Sequence, residues 1–395
     1  MQIIFFSNPD FFGSEKRPAF SSMPRFTNML VEGMRDKSHE VSVWTPNSTC
    51  FDLPFPSKMR KWMGYIDQYL LFPIQVKRRL KKVSQETIFV FTDQAQGPWM
   101  PLVQNRNHVM HCHDFLAQWS ALGKIKGQEV GMTGKMYQKF IRDGFKKGKN
   151  FITSSYKTDT DLKKLLPEAK MNTYMIYNGL EAFYKPLDKN KVRETLSPAL
   201  GVNLNNGYIL HVGGNHWYKN RKGVIEIYNA WRSMTKKRMP LLLVGPPPDD
   251  FIAKCQKDSS YRNDIHFLIG QTDEVVSQIY AGASLFLFPS FAEGFGWPSA
   301  EAMACGCPVI TSNEPPMTEV VSDAGFLIPL RNEENPRQWA TDAAFVVEEV
   351  LNMPNQEAVI LKSLENAKRF NKQKAMDDFE QVYDRIVRLN TLEPA

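Results

Sequence analysis

Short apolar runs alternate with polar, amphipathic stretches along most of the chain. In the first half, the runs at 2–7, 40–44, 87–91, 108–113, 150–153 and 174–177 predict strands. A helix is predicted over 24–37, with Ser21 and Ser22 before it able to cap its first turn. The second half repeats the alternation more regularly. Strands are predicted at 208–212, 240–245, 265–269, 285–289, 309–311 and 326–328, and helices at 223–234, 249–257, 273–281 and 298–304. The stretch 335–389 reads as helical throughout. Strands that are apolar on both faces and alternate with helices belong in parallel sheets covered on both sides. Two such series in tandem predict an α/β chain of two Rossmann-like domains. The polar, proline-broken stretch 185–193 places the joint, giving domains over 1–187 and 188–372 and a last helical segment over 373–395.

Length and composition agree with this division. A chain of 395 residues exceeds one ordinary core, and 43% hydrophobic residues suit a folded protein. The first apolar run lacks a basic leader and a cleavage site, so it reads as a strand. No apolar run approaches the roughly 20 residues that cross a bilayer. Five scattered cysteines argue against a disulfide framework and fit a reducing, cytoplasmic setting. Cys305-Gly306-Cys307 is too tight for a usual zinc spacing.

Charge adds an asymmetry. The net charge is +7, but residues 1–185 hold 27 Lys+Arg against 16 Asp+Glu, and residues 186–395 hold 22 against 26. A basic first half suggests an anionic partner: nucleic acid, an acidic membrane surface or a phosphorylated substrate. The stretch 58–82 interleaves bases with Trp62, Tyr65, Tyr69 and Phe72. It reads either as a surface for anionic lipid or as a solvated basic face over core aromatics. No nucleic-acid recognition motif is present.

In open α/β sheets ligands bind beyond the carboxyl ends of strands, so the residues just after each strand matter most. After 285–289 comes Ser290-Phe291-Ala292-Glu293-Gly294-Phe295-Gly296-Trp297-Pro298-Ser299-Ala300-Glu301. Gly294 and Gly296 permit a tight turn close to a ligand, Pro298 suits the first turn of a helix, and the helix start favours phosphate. A glycosidase would hold its two carboxyls about 5–10 Å apart across one bond. Glu293 before the helix and Glu301 along it are better placed at the two ends of a long ligand such as a sugar nucleotide. After 208–212, the turn Gly213-Gly214 and the following Lys219 suit a diphosphate, with Lys219 as a point charge on the leaving group.

Embedded in strand-Pro-Ser-x-x-Glu-Gly-Phe-Gly-x-Pro-x-x-Glu-Ala-Met-Ala-Cys-Gly-x-Pro-Val, these two acids resemble the E-x7-E signature of the retaining GT-B glycosyltransferases of family 4. The resemblance runs along nearly the whole chain and is most specific over 207–330. It implies two Rossmann-like domains with parallel sheets facing across a cleft, an acceptor domain first and a nucleotide-sugar domain second. It also implies that the last helix returns to the first domain. Glu301 would hold the ribose, while Glu293 and the Gly294, Phe295 and Gly296 amides hold the donor sugar and diphosphate. Gly213, Gly214 and Lys219 would hold the phosphates. Many members carry an arginine where Gly214 stands; Arg221 or Lys222 could supply that charge. Gly270 and Gln271, after the strand at 265–269, occupy the position that reads the base. His113, after the strand at 108–113, would bond a sugar hydroxyl, with His111 deeper. The loop 8–24 has only Gly13, then Ser21-Ser22, where many relatives carry two adjacent glycines.

The activity implied is retaining transfer of a hexosyl group from a UDP- or GDP-linked sugar to a hydroxyl of a glycan or lipid-linked acceptor, in surface polysaccharide or glycoconjugate assembly. The enzyme would be cytoplasmic or peripheral at the inner face of a membrane. No metal or other cofactor is expected, because a lysine and helix dipoles carry the diphosphate charge. A sugar-nucleotide epimerase of the same architecture and an inactive sugar-nucleotide-binding protein are the alternatives. A nicotinamide oxidoreductase lacks its G-x-G-x-x-G after any strand.

Overall fold

A computed structural model describes residues 1–12 and 22–392. Gly13 and Ser21 lie outside the described residues. The chain divides into two compact units, Met1–Tyr177 with Gln373–Ala395, and Asn178–Lys372.

The first unit holds strands β1 (Gln2–Phe6), β2 (Glu40–Trp44), β3 (Ile88–Phe91), β4 (His108–Cys112), β5 (Asn150–Thr153) and β6 (Asn172–Met175). They form one parallel sheet in the order β2-β1-β3-β4-β5-β6. β3 is buried along its whole length, which explains its unbroken apolar sequence. Its Phe91 stacks on Phe6 at 4.6 Å between ring centroids. The terminal helix Lys372–Leu392 packs in this unit from Gln373 onward. Tyr383 on that helix hydrogen-bonds His111 Nε2 at 2.7 Å, and Lys37 pairs with Asp377 and with Glu380.

The second unit holds β7 (Ile209–Val212), β8 (Leu241–Val244), β9 (Ile265–Leu268), β10 (Leu285–Phe288), β11 (Val309–Ser312) and β12 (Phe326–Ile328). Its parallel sheet runs β12-β11-β10-β7-β8-β9. Chain order therefore reverses between β7 and β10: β8 and β9 lie to one side of β7, and β10 returns to the other. Open α/β sheets bind ligands in the crevice beyond the carboxyl ends of the strands at such a reversal. Buried Trp231 anchors the helix Arg221–Met234 and donates its indole N–H to Glu348 at 2.7 Å on the helix Pro336–Asn352.

All twelve strands lie where the hydrophobic pattern predicts them, within about two residues. Three features differ. The stretch 335–389 is not one helical run but three helices, Pro336–Asn352, Gln356–Ala367 and Lys372–Leu392. Asn355 caps the second of these by accepting from the Ala358 amide at 3.0 Å, which requires a break before it. The expected joint at 185–193 is partly helical: Asp188 accepts from the Asn190 and Lys191 amides and starts the helix Lys189–Leu200. The contacts divide the chain after Tyr177, and Leu180 already pairs with Asn371 in the second unit.

Candidate functional site

The crevice at β7 and β10 gathers most of the residues singled out from sequence. β7 ends at Val212 and passes through Gly213 and Gly214 to a short turn, Trp217–Lys219. Asn220 follows with a left-handed backbone (φ 49°, ψ 42°). Its Oδ1 accepts from the Gly223 amide at 3.1 Å, capping the helix Arg221–Met234, and its Nδ2 donates to the Pro289 carbonyl at 2.9 Å. A second tie joins the two loops where the Phe291 amide donates to the Tyr218 carbonyl at 2.7 Å. These bonds fix the loop after β7 against the loop after β10 and bring Lys219 to Glu293. Lys219 Nζ lies 2.8 Å from Glu293 Oε1 and 2.9 Å from Oε2. Both side chains are largely shielded from solvent, 14% and 8% exposed.

After Glu293 the chain turns through Gly294 and Phe295 to Gly296, whose φ of 99° lies in the left-handed region where a side chain is strained. Gly296 caps the helix Trp297–Ala304, and Pro298 sits in its first turn. The Phe295 ring packs edge-on against Trp297 and Phe370, so its side chain belongs to the core. Only its backbone can serve a ligand. Glu301, on the same helix, is buried and accepts a hydrogen bond from Tyr280 Oη at 3.2 Å.

Several buried side-chain atoms of the second unit have no hydrogen-bond partner. They are Asn178 Nδ2, His211 Nε2, Arg221 Nε and Nη2, Ser290 Oγ and Ser299 Oγ. Such atoms are rare in folded proteins and concentrate where a ligand or water completes the bonding. His211, near the end of β7, donates from Nδ1 to the Leu287 carbonyl at 3.0 Å. Burial, then the nearby Arg221 and Lys219 charges, push its pKa down to about 3, so the ring is neutral near pH 7. Nε2 is left as an acceptor beside the Gly213 turn, where a Cβ at Gly213 would stand 3.0 Å from it.

Arg221 and Lys222 do not share one surface loop. Arg221 is 3% exposed, donates to the Asn215 side chain and to the Pro246 carbonyl, and lies 5.5 Å from the Phe267 ring centroid. Burial lowers its pKa to about 10, which leaves it charged near pH 7. Lys222 faces outward toward Glu226 at 3.6 Å. Gly270 takes a left-handed φ of 71° after β9, and Gln271 bonds back to the Ile269 carbonyl at 3.2 Å.

His113 belongs to the first unit, just past β4. Its Nε2 bonds the Thr92 carbonyl at 2.9 Å, which makes that nitrogen the donor. The Phe26 ring meets it edge-on at 4.5 Å. His111 is buried deeper and bonded to Tyr383, with a pKa pushed well below the usual histidine value by burial.

Among the described residues no group of three or more His, Cys, Asp or Glu side chains is placed to hold a metal ion. No helix among them is long and apolar enough to cross a membrane. Sequence reasoning missed Tyr280, the buried His211 and the capping role of Asn220. Tyr280 stands 21 residues before Glu301 on another helix, and no local spacing links the two. His211 offered one signal, a polar residue inside an otherwise apolar strand.

Comparison with known proteins agrees with this geometry. Residues 206–348 match the family model described as Glycosyl transferases group 1. Over 167 residues the chain is 32% identical to O-antigen chain mannosyltransferase B of Escherichia coli. That match covers 42% of this chain and 42% of the relative, so the chain spans less than half of that relative's length. Sucrose-phosphate synthase from Thermosynechococcus elongatus has a similar structure (TM-score 0.75, 18% identity), over 98% of this chain and 100% of that one. So does Anabaena HepE in complex with UDP and glucose (TM-score 0.69, 17% identity), over the same shares of the two chains. The chain therefore has the GT-B fold, and its second unit carries a glycosyl transferases group 1 domain.

Proposed function

We propose that this protein is a retaining glycosyltransferase that moves a hexosyl group from a UDP- or GDP-linked sugar to a hydroxyl of a glycan or lipid-linked acceptor, in surface polysaccharide assembly. The observation that carries the reading is the Lys219–Glu293 pair at the crevice where β7 and β10 part, one turn before a helix that bears the buried Glu301. The likeness to an O-antigen mannosyltransferase supports a hexose, with mannose as the first sugar to try. The UDP complex of the similar HepE structure supports a nucleoside diphosphate.

Each residue has a role suited to its chemistry. Glu301 accepts from the ribose hydroxyls, as a carboxylate can take two donors at once. Lys219 meets the diphosphate and stabilises the negative charge that grows on it as the sugar leaves. Glu293 and the amides of Gly294, Phe295 and Gly296 hold the hexose and the inner phosphate. Gly213 and Gly214 let the backbone approach the phosphates, with the buried Arg221 adding positive charge beneath them. Gly270 and Gln271 lie against the base. His113 offers Nδ1 to a sugar hydroxyl.

In the reaction, the acceptor oxygen attacks the anomeric carbon from the face that the diphosphate leaves. The carbon–oxygen bond to phosphate breaks, the new glycosidic bond forms, and a leaving phosphate oxygen takes the acceptor proton. The configuration at the anomeric carbon is kept without a protein nucleophile or a metal ion.

An anionic membrane surface is the second partner in this reading. On the first unit the helices Ser57–Ile66 and Met132–Phe145 meet through Tyr65 stacked on Tyr137 at 5.7 Å. Around that contact Met59, Trp62, Met132, Met136 and Phe140 are exposed, Trp62 to 61%, beside Lys58, Lys61, Lys135 and Lys139. Exposed apolar side chains interspersed with lysines suit insertion among anionic headgroups.

The test is transfer itself. UDP- and GDP-hexoses are incubated with lipid-linked glycan acceptors, and the anomeric configuration of the product is read by NMR. A product of retained configuration is expected; an inverted product, or a free epimerised sugar formed without acceptor, overturns the reading.

A further inference from the structure

Tyr280 contributes to the candidate site without belonging to any loop around it. It sits on the helix Asp273–Gly282, and its side chain is completely buried. The ring is held edge-on by Phe286 of β10 at 5.3 Å and by Tyr184 at 6.1 Å. These contacts leave the phenol pointing at Glu301, with Oη 3.2 Å from Oε2. Burial, followed by the Glu301 charge, drives the phenol pKa well above its usual value, so Oη carries its proton and donates it.

From this geometry we infer that Tyr280 is a positioning residue that sets the orientation of the Glu301 carboxylate for the ribose diol. The inference rests on the donor-site reading above. A carboxylate that meets two vicinal hydroxyls must hold both oxygens near one plane, and rotation about such a terminal bond is intrinsically soft. A hydrogen bond to Oε2 from a phenol locked between two rings fixes that rotation before the ligand arrives. The gain appears as preference for ribose over a deoxyribose, because the ordering cost of the carboxylate is met in advance.

The experiment measures binding of UDP and GDP, and of their 2′-deoxy and 3′-deoxy forms, by isothermal titration to the full-length chain. The quantity read is the ratio of deoxy to ribo Kd for the nucleotide that wild type binds. This ratio is insensitive to the fraction of protein that is folded. Tyr280→Phe is expected to reduce it about fivefold, the effect of one ordinary hydrogen bond. Glu301→Gln should reduce it at least as much, and the double variant should show no further loss. Tyr208→Phe is the structural control, since Tyr208 Oη bonds the Ile279 carbonyl at 2.6 Å on the same helix without touching Glu301. It should lower the melting temperature and leave the ratio unchanged. If Glu301→Gln abolishes the ribose preference and Tyr280→Phe keeps it, the inference fails and the donor-site reading stands. If wild type shows no ribose preference, or Glu301→Gln retains it, the donor-site reading itself fails.

Discussion

The ammonium of Lys219 is shared between both oxygens of Glu293, at 2.8 and 2.9 Å, across 74 residues of sequence. The two charges neutralise each other in a partly buried place, so neither can change partner alone. In the proposed reaction, a diphosphate that draws Lys219 toward itself would also release Glu293 to meet the sugar hydroxyls. The proposed function therefore predicts that phosphate recognition and sugar recognition are coupled through this one ion pair.

That coupling is visible in a double-mutant cycle. Lys219→Met leaves the Glu293 carboxylate without its cation and should destabilise the second unit by about 1–3 kcal/mol. Adding Glu293→Gln should recover much of the loss, as read by urea unfolding. Turnover behaves differently. Each single variant should lose on the order of a hundredfold in kcat/KM, and the double variant should recover none of it.

Gly245, just past β8, has a φ of 148°, and a Cβ there would fall 2.2 Å from the Gly213 carbonyl oxygen. Gly245→Ala must push the β7 loop away from the β8 loop. It is expected to cost about 2 kcal/mol or more and to weaken nucleotide binding, since Gly213 opens the turn proposed to hold the phosphates. Gly270→Ala is the contrast. It also has a left-handed φ, but its Cβ would meet nothing within 4 Å. Its cost should be about 1 kcal/mol. Thermal unfolding of the two variants side by side checks the difference.

Buried histidines set an acid limit on stability. His211 has its pKa pushed down to about 3 in the folded chain, and His111 lies well below its usual value. Both take up a proton near pH 6.5 when unfolded. Their contribution is fully present above about pH 6.5 and declines as pH falls toward the folded values, by about 1.4 kcal/mol per pH unit for His211. Burial also lowers the pKa of His108, so unfolding free energy measured from pH 7 to pH 4 should fall at least as steeply as that slope. His211→Gln, whose amide can still donate to Leu287, should flatten the profile of the second unit.

The terminal helix is tied to the first unit through His111 and Tyr383. Tyr383→Phe leaves His111 Nε2 buried without its partner and is expected to cost about 1–2 kcal/mol in the unfolding of that unit. Removing residues 373–395 also strips buried Phe379 and Ile386 from the core, and the first unit should then fail to fold cooperatively.

The sheets were legible in the sequence because parallel strands buried on both faces, such as Leu285-Phe286-Leu287-Phe288, have a local signature. The helices of the first half were harder to read. Met132–Phe145 mixes glycines, lysines and aromatics, and its exposed methionines blur the apolar stripe. At the site, Glu293, Gly296 and Glu301 could be found together because one strand-turn-helix segment carries all three. The pairing of Lys219 with Glu293, the burial of Arg221 and the bond from Tyr280 depend on which strands lie side by side. Strand order is set by the packing of the whole unit, and no window of sequence encodes it.

The proposed function requires the crevice between β7 and β10 to bind a nucleoside diphosphate sugar through Glu301 and the Lys219–Glu293 pair. The most direct measurement is a thermal-shift screen of UDP- and GDP-hexoses on wild type and on Glu301→Ala. The account predicts that donors of one nucleotide class raise the melting temperature of wild type, and that Glu301→Ala loses the shift. No shift with any of these donors, or an equal shift in Glu301→Ala, would contradict it.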